Sequence, residues 1–249
     1  MTFSNEWHQV LDIVNENNKK SPMIWYRGHS DEKLFKLHSG LFRESADLPS
    51  VNINEASKYR MFYNLGHNFH NSKDWDLLFI MQHHGVKTRL LDWTESFSTA
   101  LYFAFTSWNP NRSNACVWML NPVVLNNKSL GFYGFADVNR FGKYEHYLNN
   151  QTLFANNSSA LYPIRNSQRI IAQQGVFTLQ GNSGVPLDEE FNGELLAEHA
   201  LIKITITPSV YYDAKNYLYQ NGIGHFRLFP DLDGLAKYAN NPMLAFNHI

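Results

Sequence analysis

Gln82-His83-His84-Gly85-Val86-Lys87-Thr88-Arg89-Leu90-Leu91-Asp92-Trp93-Thr94 decides how the fold is read. Before it, Trp75, Leu78, Phe79 and Gln82 follow helical spacing, and Gly85 stands where a helix takes its left-handed terminal residue. Residues 87–93 are extended in character, and Thr94 or Ser96 is placed to cap a helix running to residue 108. Helix, strand and helix therefore succeed one another within some thirty residues. Strand alternation sets Arg89, Leu91 and Trp93 on one face and Thr88, Leu90, Asp92 and Thr94 on the other.

The same reading extends outward. Trp7, Val10, Leu11 and Val14 predict an amphipathic helix over residues 4–18, and Pro22 introduces a short strand over 23–26. Tyr59, Phe62, Tyr63, Gly66 and Phe69 mark another helical stripe, and residues 115–120 read as a buried strand. Residues 167–174 predict a helix ended by Gly175, with a strand over 176–179. Residues 189–199 predict a helix and 201–207 a half-buried strand. Pro208 opens a further helix that Gly222 ends, and 230–239 form a last short one. Residues 121–163 give no clear pattern, and asparagine pairs such as Asn149-Asn150 mark loops. Strands and helices mix without a steady βαβ beat, which predicts an α+β fold with a split or mixed sheet and flanking helices.

Composition narrows the function. The 249 residues are 44% hydrophobic and 17% charged, enough for a sizeable core, with 15% aromatics. Net charge is −1, which argues against a protein that binds through one strongly basic face. The single cysteine, Cys116, allows no internal disulfide and no cysteine-based metal cluster, and in an apolar strand it reads as a packed thiol. Residues 1–9 have neither the basic nor the apolar region of a secretory leader, so none is expected, and the densest apolar run, residues 100–105, is far below the ~18 residues that span a bilayer. A cytoplasmic protein without a membrane partner is expected. P-loop, dinucleotide-fold, His-Glu-x-x-His and Gly-x-Ser-x-Gly patterns are absent. His83-His84 are adjacent and badly set for one metal ion, and His67 with His70 reads as a surface helix face, so no metal is expected.

Three segments stand apart: Trp25-Tyr26-Arg27-Gly28-His29, the residues 82–94 quoted above with Ala100-Leu101-Tyr102-Phe103-Ala104, and Arg169-Ile170-Ile171-Ala172-Gln173-Gln174-Gly175-Val176-Phe177. Together with Leu228-Phe229-Pro230-Asp231-Leu232-Asp233-Gly234-Leu235 they closely resemble the FRG domain family, named for its aromatic-Arg-Gly motif. The resemblance runs from about residue 22 to 239, which implies a single FRG-type domain over 1–249 with an N-terminal helix over 1–21 and a core over 22–239. The bacterial and phage setting of that family implies a toxin or phage-defence role and a regulatory, antitoxin-like protein partner.

A second resemblance is to ADP-ribosyltransferases. Those enzymes carry Arg-Gly or His-Gly at the end of a first strand, a Ser/Thr or Tyr motif before a helix with small residues, and an acidic or amide residue introducing a later strand. Here Arg27-Gly28, then Thr94 or Ser96, then Gln173-Gln174 stand in that order, with Gln174 where a catalytic Glu is expected. Glu189, Glu190, Glu194 or Glu198 is the fallback for that carboxylate. The likeness implies NAD, or a related nucleotide, as substrate, with an acceptor that the residues do not name. It places Arg27, Asp92, Thr94 and Gln174 in catalysis and Arg27, Gly28, His84, Arg89 and Tyr102 around the nucleotide.

On the residues alone, Arg27 offers a planar fork for phosphate or carboxylate, or else a buried pair with Asp92. Gly28 admits close approach of a ligand. Asp92 is expected to be largely buried and bonded to an arginine or histidine, with structural and chemical roles both open. Tyr102 suits core packing or stacking on a ring. A cleft lined by Arg27, His84, Thr94, Tyr102 and Gln174 is expected. A non-enzymatic nucleotide or nucleic-acid sensor, and a nuclease built on His83 or His84 with Asp92, are the competing functions.

Overall fold

The computed structural model describes residues 2–45 and 47–240, so Met1, Ala46 and residues 241–249 of the expected 1–249 domain lie outside it. Six strands form one sheet: β1 (Trp25–His29), β2 (Leu90–Thr94), β3 (Ala115–Leu120), β4 (Ser159–Leu161), β5 (Gly175–Leu179) and β6 (Leu201–Ile206). Their order is β4-β5-β2-β1-β3-β6, and every neighbouring pair is antiparallel. The α+β class with flanking helices therefore holds, whereas parallel pairing, which a mixed sheet needs, does not occur within it.

The seam between β1 and β2 is the weak line of this sheet. Only Tyr26 and Thr94 stand in register there. By contrast β1 is matched to β3 along all five of its residues, and β2 to β5 along all five of its own. Beyond Tyr26 and Thr94 the two strands part, leaving backbone groups on their facing edges that need other partners.

One face of the sheet packs on the helices Asn5–Lys20, Phe97–Phe105 and Tyr211–Gln220, in a core that includes Trp7, Tyr26, Leu101, Val117 and Ile204. Ser4 caps the first of these helices through Trp7 N–H, and Ser96 caps the second through Thr99 N–H at 3.2 Å. Alternation along β2 is as the sequence predicts, with Leu91 and Trp93 in one cluster and Leu90 in another. The helix Asp74–His83 ends before Gly85, whose φ of +80° is the left-handed terminal residue its position predicts.

Three predicted helices are shorter or broken: the one expected over 167–174 and ended by Gly175 is Gln168–Ala172, and Gly175 opens β5 instead. Residues 189–199 form a 3-10 turn, Glu190–Gly193, which contains left-handed Phe191 and Asn192, and a short helix, Glu194–Ala197. The helix after Ser96 stops at Phe105 rather than at residue 108. The Asn121–Pro163 stretch, which has no sequence pattern, supplies the helix Pro122–Leu130 and edge strand β4. Among the described residues no helix is long and apolar enough to cross a membrane.

Candidate functional site

Where β1 and β2 part, a cleft of about 400 Å³ opens, lined by Arg27, Gln82, Asp92, Thr94, Phe103 and Arg169 among others. Arg27 bridges the parted strands. Its Nη1 donates to the Asp92 backbone carbonyl at 2.5 Å, a group left without a ladder partner on that edge, and its Nε donates to His29 Nε2 at 3.0 Å. No carboxylate lies within ion-pair distance of Arg27 among the described residues. Burial pulls its guanidinium down to about 10, against the opposing pull of Asp92, so it stays charged at neutral pH. His29, buried and beside that cation, is pushed down to about 3 and stays neutral. Because Nε2 accepts, Nδ1 carries the ring proton.

Asp92 corrects an expectation. Its side chain is exposed, and its partner is neither an arginine nor a histidine: both carboxylate oxygens accept from Gln82 Nε2, at 3.1 and 3.0 Å. The Thr88 hydroxyl donates in turn to Gln82 Oε1 at 2.6 Å, which fixes the amide's orientation. The reason is positional. Asp92 alternates with buried Leu91 and Trp93 and falls where β1 has moved away, so the carboxylate is aimed at the cleft without being sealed in it.

Thr94 is buried at the end of β2. Its hydroxyl donates to the Gln173 carbonyl at 2.6 Å and accepts from Ser96 N–H at 3.0 Å, tying β2 to the turn before β5 and to the cap of the Phe97–Phe105 helix. Gln173, not Gln174, lines the cleft, with its Nε2 donating to the Leu228 carbonyl at 3.0 Å. Gln174 is exposed, takes φ +48°, and contributes its backbone carbonyl to Glu95 N–H at 3.0 Å.

Of the four further residues expected around a nucleotide, Gly28 lines the cleft but packs against a helix, and the other three lie outside it. A Cβ on Gly28 would stand 1.9 Å from the Ala100 carbonyl oxygen, so this glycine admits the Phe97–Phe105 helix rather than a ligand. Tyr102 is buried, with its hydroxyl 3.0 Å from His225 Nδ1, and its neighbour Phe103 faces the cleft instead. His84 is exposed at the end of the Asp74–His83 helix and lines an adjoining hollow. Arg89 lies outside the cleft and is fully buried, paired with Glu55 at 2.6 Å, bonded to Asn52 and Asn182, and stacked 3.8 Å above Phe154. The fallback carboxylates are also elsewhere: Glu190 holds Ser158, Glu189 pairs with Lys36, and Glu194 and Glu198 share Lys128.

Sequence reasoning overlooked Gln82, Phe103 and above all Arg169 as site residues. Arg169 stands on the helix Gln168–Ala172, its guanidinium 4.6 Å over the Phe229 ring, with one long bond of 3.4 Å to the His83 carbonyl. Its signal was its place at the head of the third quoted segment. Among the described residues the cleft thus sets two guanidiniums without carboxylate partners, Arg27 and Arg169, against the Asp92 carboxylate, an arrangement that favours an anionic ligand. No group of three or more metal-ligating side chains occurs among the described residues. A larger apolar groove of about 810 Å³, lined by Met61, Leu65 and Phe69, lies between the helices Leu48–Gly66 and Asp74–His83 and shares none of these charged groups.

No curated protein and no solved structure matches the chain. Residues 22–113 do match a family model, and they include both parted strands, the helix that packs on them, and Arg27, Asp92 and Thr94. The model matched over those residues is that of the FRG domain.

Proposed function

We propose that the cleft binds NAD or a related nucleotide, and that the protein is an ADP-ribosyltransferase-like enzyme that transfers ADP-ribose or hydrolyses NAD. The observation carrying this reading is convergence: Arg27, Thr94 and Gln173, from three distant segments, line one cleft at the parted end of β1 and β2. A guanidinium with a spare Nη2, two amides and apolar walls from Phe103 and Tyr26 suit a ligand that is part anion and part planar ring.

In the reaction the bond from ribose C1′ to the nicotinamide nitrogen breaks, and nicotinamide leaves with the electron pair. The attacking oxygen or nitrogen bonds to C1′ and gives up its proton. Asp92 is the one carboxylate of the cleft among the described residues, held by Gln82, and it serves to stabilise the cationic sugar and to take that proton. The third motif itself offers only amides. That favours a second reading, a nucleotide-binding module without turnover. The resemblance to FRG proteins adds the toxin or phage-defence setting and a regulatory protein partner as part of this proposal.

The test is incubation of the pure protein with NAD, with and without cell lysate, followed by measurement of free nicotinamide. Release that disappears in Asp92→Asn supports the enzyme. Tight NAD binding without release supports the binding module, and neither binding nor release sinks both.

A further inference from the structure

Arg169 does not belong to the cleft alone. It is also a wall of the adjoining hollow of about 760 Å³, between the end of the Asp74–His83 helix and the C-terminal helices His225–Leu228 and Leu232–Asn240. Arg169 is therefore common to the two cavities. Arg27 turns two of its five N–H donors inward, on His29 and the Asp92 carbonyl. Among the described residues Arg169 makes one long bond, to the His83 carbonyl, with its plane steadied against Phe229. A planar fork with most donors unspent is suited to two-point contact with phosphate oxygens.

The walls of the hollow differ in kind from those of the cleft. Phe226, Leu232 and Leu235 expose apolar surface there, and Leu232 is 83% exposed. Asp233 adds an exposed carboxylate, an acceptor for hydroxyl groups. Apolar side chains beside a carboxylate acceptor suit a second base with its ribose. The cleft on the other side of Arg169 holds the groups already assigned to the nicotinamide end.

We infer that the ligand is a diphosphate-bridged dinucleotide, with its diphosphate on Arg169 and its second nucleoside in the hollow beyond. The inference rests on the nucleotide reading of the cleft and assigns Arg169 and the hollow as the residues that choose a dinucleotide over a mononucleotide. Neither cavity alone needs that choice. Arg169, common to both, does.

Titration calorimetry on the full chain tests this with NAD, ADP-ribose, nicotinamide mononucleotide and inorganic pyrophosphate. Wild type should bind NAD at least tenfold more tightly than the mononucleotide. Arg169→Gln should weaken NAD and ADP-ribose at least tenfold. Leu232→Glu alters an exposed side chain and is compatible with folding. It should erase the preference by lowering NAD affinity to that of the mononucleotide, whose own affinity stays within twofold. A mononucleotide that binds wild type as tightly as NAD, or NAD affinity untouched by Leu232→Glu, overturns the inference while leaving the nucleotide reading intact. Arg169-dependent binding of ADP-ribose and pyrophosphate without nicotinamide release overturns NAD turnover and keeps the diphosphate seat. If none of the four ligands binds, both are overturned.

Discussion

Gly28→Ala separates the two physical roles a glycine after Arg27 can have. If the glycine serves ligand approach, a methyl group leaves the fold alone and blocks binding. The structure assigns the other role. The added Cβ would meet the Ala100 carbonyl oxygen at 1.9 Å and the Ala104 nitrogen at 2.6 Å, where ordinary contact begins at 3.4 Å. The shortfall of 1.5 Å (3.4 − 1.9) is backbone against backbone, so no flexible side chain can swing aside. The helix cannot retreat freely either, because Ala100, Leu101 and Ala104 are fully buried in the core behind it. Overpacking of this kind costs ~1–3 kcal/mol, and a backbone clash belongs at the upper end, about 3 kcal/mol. For a chain of this size each kcal/mol is worth ~2–4 °C in Tm, so Gly28→Ala should melt ~6–12 °C below wild type. Urea unfolding should show a lower midpoint with an unchanged slope. A variant that melts within ~2 °C of wild type and has lost only NAD binding would refute the packing role.

Other expectations follow from single side chains. Arg89→Ala leaves Glu55 buried without its partner and should cost ~3–5 kcal/mol of stability in urea unfolding; a loss below ~1 kcal/mol would contradict a structural role. Arg27→Gln removes a charged donor from the cleft and should weaken NAD binding by ~1.5–3 kcal/mol, roughly 10- to 150-fold, with undiminished affinity as the contrary result. Asp92→Asn should abolish nicotinamide release yet melt within ~2 °C of wild type, because the side chain is exposed and Gln82 Nε2 can go on donating to the amide oxygen without turning. Glu190 is buried, and its carboxyl is raised from 4.5 to about 7, so folding holds its proton more tightly than the unfolded chain does. Stability should then be greatest below pH 4.5 as far as this group decides it, fall by about 3 kcal/mol as pH rises to about 7, and level off above. Glu190→Gln should flatten that slope, and an identical pH profile in the variant would show that another group is responsible.

Local patterns made the elements legible. The helix ending before Gly85, the buried strand over 115–120 and the turn-ending Gly222 all rest on interactions within a few residues, which spacing and residue type report directly. The break in residues 189–199 was not legible. Leu195 and its neighbours keep helical spacing, yet Glu190 turns inward to accept from both the Ser158 amide and hydroxyl, and the chain passes through left-handed Phe191 and Asn192. A contact across 32 residues overrides the local preference there. The same holds for the stretch 121–163, where Asn126 is committed to the backbone of Ala160 rather than to its own helix.

The site was legible in its members and misread in their roles, because roles depend on which edge of the sheet opens. Nothing local distinguishes Arg27 from Arg89, since both are arginines in or beside apolar strands. Arg89 precedes β2 at its closed end and meets Glu55; Arg27 lies where β1 leaves β2 and meets an orphaned carbonyl. The exchange of Gln174 for Gln173 has the same origin at the scale of one bond. Helix geometry carried on from Ala172, or strand geometry carried back from Gly175, would keep φ negative at residue 174. Instead φ at Gln174 is +48°, which turns that side chain to solvent while its carbonyl accepts from Glu95. Thr94 then takes the Gln173 carbonyl, and the Gln173 amide takes that of Leu228. Left-handed backbone at a residue other than glycine is costly and persists only where surrounding bonds over-determine it. Here three long-range bonds, from β2, from the turn after β2 and from the C-terminal arm, hold the turn. The cleft wall at Gln173 is therefore set by parts of the chain that must already be folded against one another, and a ligand there reads the assembled sheet rather than a local motif.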